Sequence, residues 1–74
     1  MKEYTVIFER GKTGEENWGA YVPDLPGCVS TGDTLEEVKA HIEAAIRGHI
    51  AALQQTGQTV PEPTTVATTV QVAA

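Results

Sequence analysis

The stretch Tyr21-Val-Pro-Asp-Leu-Pro-Gly-Cys-Val-Ser-Thr-Gly-Asp-Thr-Leu-Glu-Glu37 decides the fold of this chain. Pro23 and Pro26 bracket Asp24 and Leu25. Each proline fixes its own φ and removes a hydrogen-bond donor. Each also drives the residue before it towards extended geometry. Gly27 follows, suited to a turn that needs positive φ. A stiff turn over Val22–Gly27 is therefore predicted, with Asp24 and Leu25 held in a defined way. Cys28-Val-Ser-Thr-Gly32 reads as a short strand leaving it. Thr34-Leu-Glu-Glu37 fits a capping box, with Thr34 as N-cap and Glu37 three residues on. Glu36 and Glu37 suit the positive end of a helix dipole.

Upstream of this stretch, residues 4–10 alternate Tyr4, Val6 and Phe8 on one face with Thr5, Ile7 and Glu9 on the other. This is the period of a strand. Gly11 to Asn17 is polar, with two glycines, and reads as a hairpin loop. Trp18-Gly-Ala-Tyr-Val22 is the returning strand. Downstream, Leu35, Val38, Ile42, Ala45, Ile46, His49 and Leu53 fall on one helical stripe. Gly57 provides a helix stop, and Pro61-Glu-Pro63 keeps the helix from resuming. In the tail, Val66, Thr68, Val70 and Val72 alternate with Thr65, Ala67, Thr69 and Gln71. The tail is predicted to be a last strand, completing the sheet or crossing to a partner subunit. The expected architecture is α+β, in the order β-β-β-α-β, with one helix packed on a small, mostly antiparallel sheet.

The chain has 74 residues and one cysteine, Cys28. A core of this size is marginal, and no disulfide or cysteine-based zinc site can be built within the chain. Chains this small need a staple or a partner copy, so self-association as a homodimer or homotetramer is expected. Ten acidic residues against five basic ones give a net charge of −5. That balance disfavours direct contact with nucleic acid and suits a basic partner. The amino terminus has no apolar signal region, and no run is long enough to span a membrane. A cytoplasmic protein is expected.

Catalytic signatures are sparse. No phosphate-binding glycine loop is present. His41 and His49 stand eight residues apart on the helix, too far along its axis to share one metal. Cys28 has no electropositive setting that would make it reactive. Glu3, Glu9, Asp24 and Asp33 are a thin set for two-metal nuclease chemistry. No catalytic residue, metal or cofactor is expected.

The run from Trp18 through Asp24-Leu-Pro-Gly-Cys28 to Gly32-Asp-Thr-Leu-Glu-Glu37 closely resembles the HicB family of antitoxins. The likeness continues through Ala44-Ala-Ile-Arg-Gly-His-Ile-Ala-Ala-Leu53 to Gly57-Gln-Thr-Val-Pro-Glu-Pro63, making residues 1–63 a HicB-like domain and residues 64–74 its tail. The resemblance implies a partly degraded ribonuclease H-like fold without nuclease activity. It also implies a partner: a HicA-type toxin, small and basic, that cleaves messenger RNA and is occluded by the antitoxin. Many HicB proteins carry an additional carboxyl-terminal DNA-binding domain. Residues 64–74 leave no room for one, so a short form without direct DNA contact is expected. Glu15, Glu16, Trp18, Asp24 and Leu25 are the expected toxin-contact residues. The alternative reading is a stand-alone HicB-like oligomer, structural or regulatory, with no toxin.

Overall fold

The computed structural model describes residues 1–11 and 17–74. These residues form a three-stranded antiparallel sheet in the order β1-β2-β3, followed by one long helix. The strands are β1 (Ile7–Arg10), β2 (Trp18–Tyr21) and β3 (Val29–Gly32), and the helix α1 spans Leu35–Gln55. The architecture is the expected α+β layer, with the order β-β-β-α.

β1 is shorter than its alternation suggests, and the register supplies a reason. Ile7 pairs with Tyr21 and Glu9 with Gly19, while the Gly11 N–H donates to the Asn17 carbonyl. The hydrogen-bonded pairs are thus the odd-numbered ones, and the next would set Thr5 against Pro23. Proline has no N–H to give, so the ladder stops.

Two tight turns in succession connect β2 to β3. The Leu25 N–H donates to the Val22 carbonyl at 3.1 Å, and the Cys28 N–H donates to the Leu25 carbonyl at 3.0 Å. Pro26 and Gly27 are the central residues of the second turn, and Gly27 has φ +84°. This matches a type II turn, whose third position requires positive φ. The Val22 N–H closes the loop onto the Cys28 carbonyl at 3.1 Å. The prolines therefore act as expected on the turn. Leu25, however, points inward and is 0% exposed.

Thr34 is the N-cap of α1, extended at φ −128°, and its hydroxyl accepts the Glu37 N–H at 3.1 Å. At the other end the Gln58 N–H reaches the Leu53 carbonyl and the Gly57 N–H reaches the Gln54 carbonyl. Those two bonds, with Gly57 at φ +71°, form a Schellman motif. The core lies between helix and sheet: Ala20, Val22, Leu25, Cys28, Val38 and Ile42. Tyr4, Val6, Phe8, Trp18, Leu35, Ala45, Ile46 and Ile50 pack around it, each partly buried. Burial pushes the Cys28 thiol upward, consistent with an inert cysteine.

The expected last strand is absent from this sheet. Among the described residues, 64–74 form no ladder, and Val66, Val70 and Val72 are exposed.

Sheet and helix approach closely at Gly32. A Cβ there would stand 2.7 Å from the Val38 nitrogen and 3.0 Å from its Cα. Gly32→Ala should lower stability by about 1–3 kcal/mol, the usual cost of overpacking. At Gly48, exposed on α1, a Cβ would meet nothing within 4 Å. Gly48→Ala should raise stability by about 0.5–1 kcal/mol, because alanine loses less backbone entropy in a helix. Thermal unfolding of the two variants should move in opposite directions; a shared direction would contradict this packing.

Candidate functional site

The expected contact residues divide between the two ends of the sheet. Trp18 opens β2, and Asp24 and Leu25 lie in the turn beyond its far end. Counting residues along the extended chain, the two groups are roughly 15 Å or more apart. Glu15 and Glu16 lie outside the described residues.

At the first end, Trp18 is partly buried and pairs across the sheet with Arg10. The Arg10 guanidinium lies 5.1 Å from the centre of the Trp18 ring. A cation over an aromatic face is attracted by the ring quadrupole. Both side chains lie on the face that carries Phe8 and Ala20, and Trp18 packs against the core there. The opposite face of the sheet presents a row of Ile7, Tyr21 and Val29. Tyr21 and Val29 in that row are exposed.

At the second end, Asp24 is committed to its own chain. Its Oδ2 accepts the N–H groups of Thr64 at 3.0 Å and Thr65 at 2.9 Å. Its Oδ1 accepts the hydroxyls of Thr64 at 3.1 Å and Thr65 at 2.8 Å. Neighbouring contacts tie the same strip of chain to the segment before β1. The Tyr4 hydroxyl donates to the Pro61 carbonyl, Thr5 Oγ1 donates to the Thr65 carbonyl, and Lys2 pairs with Glu62. Asp24 thus anchors the root of the tail. The Thr65 backbone N–H is the leading influence holding its carboxyl below the ordinary 3.8. Desolvation opposes this, and the two hydroxyls and the Thr64 N–H reinforce it.

Sequence reasoning missed Thr64 and Thr65 as the partners of Asp24, and Arg10 as the partner of Trp18. The Arg10–Trp18 pair could have been found by counting register back from the hairpin loop. The Asp24 anchor has no local signal, since its partners lie 40 and 41 residues away. Leu25 is a correction: its side chain lies in the core, so it offers no exposed contact. His41 is exposed on α1, and its Nδ1 lies 2.7 Å from the Thr31 carbonyl.

Residues 4–73 match the family described as HicB-like antitoxins of bacterial toxin–antitoxin systems. The chain belongs to this HicB-like antitoxin family. A UPF0150 protein of Thermoplasma acidophilum is 36% identical over 59 residues, covering 80% of this chain and 83% of that protein. A UPF0150 protein of Synechocystis is 41% identical over 59 residues, covering 80% of this chain and 72% of its own. An uncharacterized 14.9 kDa protein of Haemophilus phage HP1 is 38% identical over 59 residues, and the match covers 42% of that longer protein. No solved structure matches. Membership in the HicB-like family supports an antitoxin role in a toxin–antitoxin system, and it points to a binding protein in preference to a catalyst. Among the described residues, no helix is long and apolar enough to cross a membrane.

The Asp24 anchor has a defined pH response. The folded pKa is depressed, so the stabilisation is fully present above the unfolded value near 3.8. It is lost as pH falls through the lower folded value. Below that point the Thr64 and Thr65 amides should lose their hydrogen-exchange protection while the helix still holds. Asp24→Ala should show the same local loss at neutral pH. Protection at both amides that is unchanged in Asp24→Ala would contradict the anchor.

Proposed function

We propose that this HicB-like protein binds and occludes a HicA-type toxin, a small basic nuclease of messenger RNA. The carrying observation is the family match along residues 4–73. The net charge of −5 supports the reading, because it favours encounter with a basic protein. Inhibition by occlusion needs shape fit and excluded water, with no proton transfer from this chain. The α+β unit is read as a partly degraded ribonuclease H-like fold that serves as a binding scaffold, in the cytoplasm where messenger RNA is cleaved.

The contact surface we favour is the Trp18 end of the sheet. Trp18 is a half-buried aromatic with an exposed rim, the kind of residue that anchors interfaces. Glu15 and Glu16 stand two and three residues before it in sequence and supply acidic groups for a basic toxin. Asp24 contributes indirectly, since its oxygens are committed to Thr64 and Thr65.

The test begins with recovery of the tagged chain from its native cells. A small basic protein should co-purify in stoichiometric amount, cleave messenger RNA alone, and lose that activity when this chain is added. Trp18→Ala and the Glu15→Lys/Glu16→Lys double variant should each weaken the complex by on the order of tenfold or more, as hot-spot truncation and charge reversal do. Full inhibition by both variants at wild-type affinity would move the surface elsewhere. Failure of any such toxin to be inhibited would remove the proposed function.

A further inference from the structure

We propose that the face of the sheet turned away from α1 receives a short amphipathic helix of a partner protein, one whose apolar stripe is flanked by lysine or arginine. The face is built from the odd-numbered residues of the strands: Ile7 and Glu9 of β1, Gly19 and Tyr21 of β2, Val29 and Thr31 of β3. Ile7, Tyr21 and Val29 make one row across it, and Glu9, Gly19 and Thr31 make the next. The first row is open. Tyr21 is 41% exposed and Val29 is 64% exposed, and none of the three packs against the core. Exposed apolar residues scattered singly need no explanation, but three side by side on adjacent strands form a patch.

Gly19 indicates what kind of contact this face makes. It lies in the middle strand, where glycine weakens a sheet through its freedom and its missing side chain. The chain itself has no use for glycine there. Its φ is not positive, and the register runs unbroken on both sides, so no bulge requires it. A Cβ built on it would meet nothing within 4 Å. Gly32 is the contrast, since a Cβ there would stand 2.7 Å from the Val38 nitrogen. What remains is close approach of another backbone from outside, a recognised reason for glycine inside a strand. A helix laid along β2 meets Tyr21 at one end and settles onto Gly19 at the other.

Size and charge select the occupant. Three strands about 4.8 Å apart and four residues long give a face of about 10 by 13 Å. One helix, about 10 Å across, fits that width. The face is well below the roughly 800 Å² a side of a stable protein–protein interface, which suits one docked element and not a whole second copy. Glu9 is the one charged side chain of the face, and the exposed Asp33 follows β3 at the same end. The described cations lie elsewhere. Lys2 pairs with Glu62, Arg10 lies over Trp18 on the other face, and Lys39 and Arg47 are carried by α1. A second copy would bring its own Glu9 and Asp33 to the contact, like charge against like. A helix flanked by lysine or arginine meets the same carboxylates with opposite charge. This inference does not depend on the toxin-binding reading.

The test titrates the full, isotope-labelled chain with a helical peptide of leucine and lysine, its lysines flanking one leucine stripe. Amide resonances of Ile7, Gly19, Tyr21 and Val29 should shift, while those of α1 stay still. The matching leucine–glutamate peptide should bind on the order of tenfold more weakly, and Glu9→Lys should weaken the lysine peptide by a similar factor. Gly19→Ala should weaken binding on the order of tenfold, because its methyl holds the helix off the strand. Its thermal unfolding midpoint should nevertheless equal or exceed that of the unchanged chain. No binding at millimolar peptide, shifts centred on α1, equal binding of the two peptides, or full binding by Gly19→Ala would overturn the proposal. So would a lowered midpoint for Gly19→Ala, which would show that the chain needs that glycine for itself. Shifts at this face that grow with chain concentration alone would assign it to a second copy and overturn it as well.

Discussion

Leu25 sits between two tight turns, and the rest of the molecule is arranged around that placement. Pro23 and Pro26 restrict the backbone on either side, and Gly27 supplies the positive φ that closes the second turn. The reversal sets β2 against β3 and drives Leu25 into the core beside Val38 and Ile42. It also leaves Asp24 outside, on the first turn, where it can receive two consecutive residues from the far end of the chain. In a core of so few residues, burying one leucine fully weighs heavily. Deleting such a side chain typically costs about 2–5 kcal/mol, a large fraction of what a small domain has.

Much of this was legible in the sequence because it is local. The N-cap at Thr34, the stop at Gly57 and the Pro-Asp-Leu-Pro-Gly turn each depend on residues within five positions of one another. The helical stripe was visible for the same reason, with Val38 and Ile42 as its most deeply buried members. Sidedness within the turn was not legible. Two residues between prolines can be presented outward or divided between core and solvent, and only the closing of the second turn decides. Leu25 went in and Asp24 stayed out.

The candidate site was less legible, because its parts are joined by topology. Trp18 and Asp24 are close in sequence and belong to opposite ends of the sheet. Asp24 and Thr65 are distant in sequence and share hydrogen bonds. The alternation of Val66, Val70 and Val72 has the period of a strand, but this chain's three-stranded sheet does not include it. A single chain leaves these valines in water, and the hydrophobic effect acts on them wherever a complementary edge can be found.

The cross-ties at the root of the tail have a kinetic consequence. Lys2–Glu62, Tyr4–Pro61 and Asp24–Thr65 close loops of 60, 57 and 41 residues. The hairpins and the helix need only short loops, and loop closure must precede any gain from distant contacts. The helix and three-stranded sheet therefore assemble first, and the carboxyl-terminal strip docks afterwards. By the same ordering it is the first part to open under native conditions, a sub-global unfolding unit that can detach while the central fold stays intact.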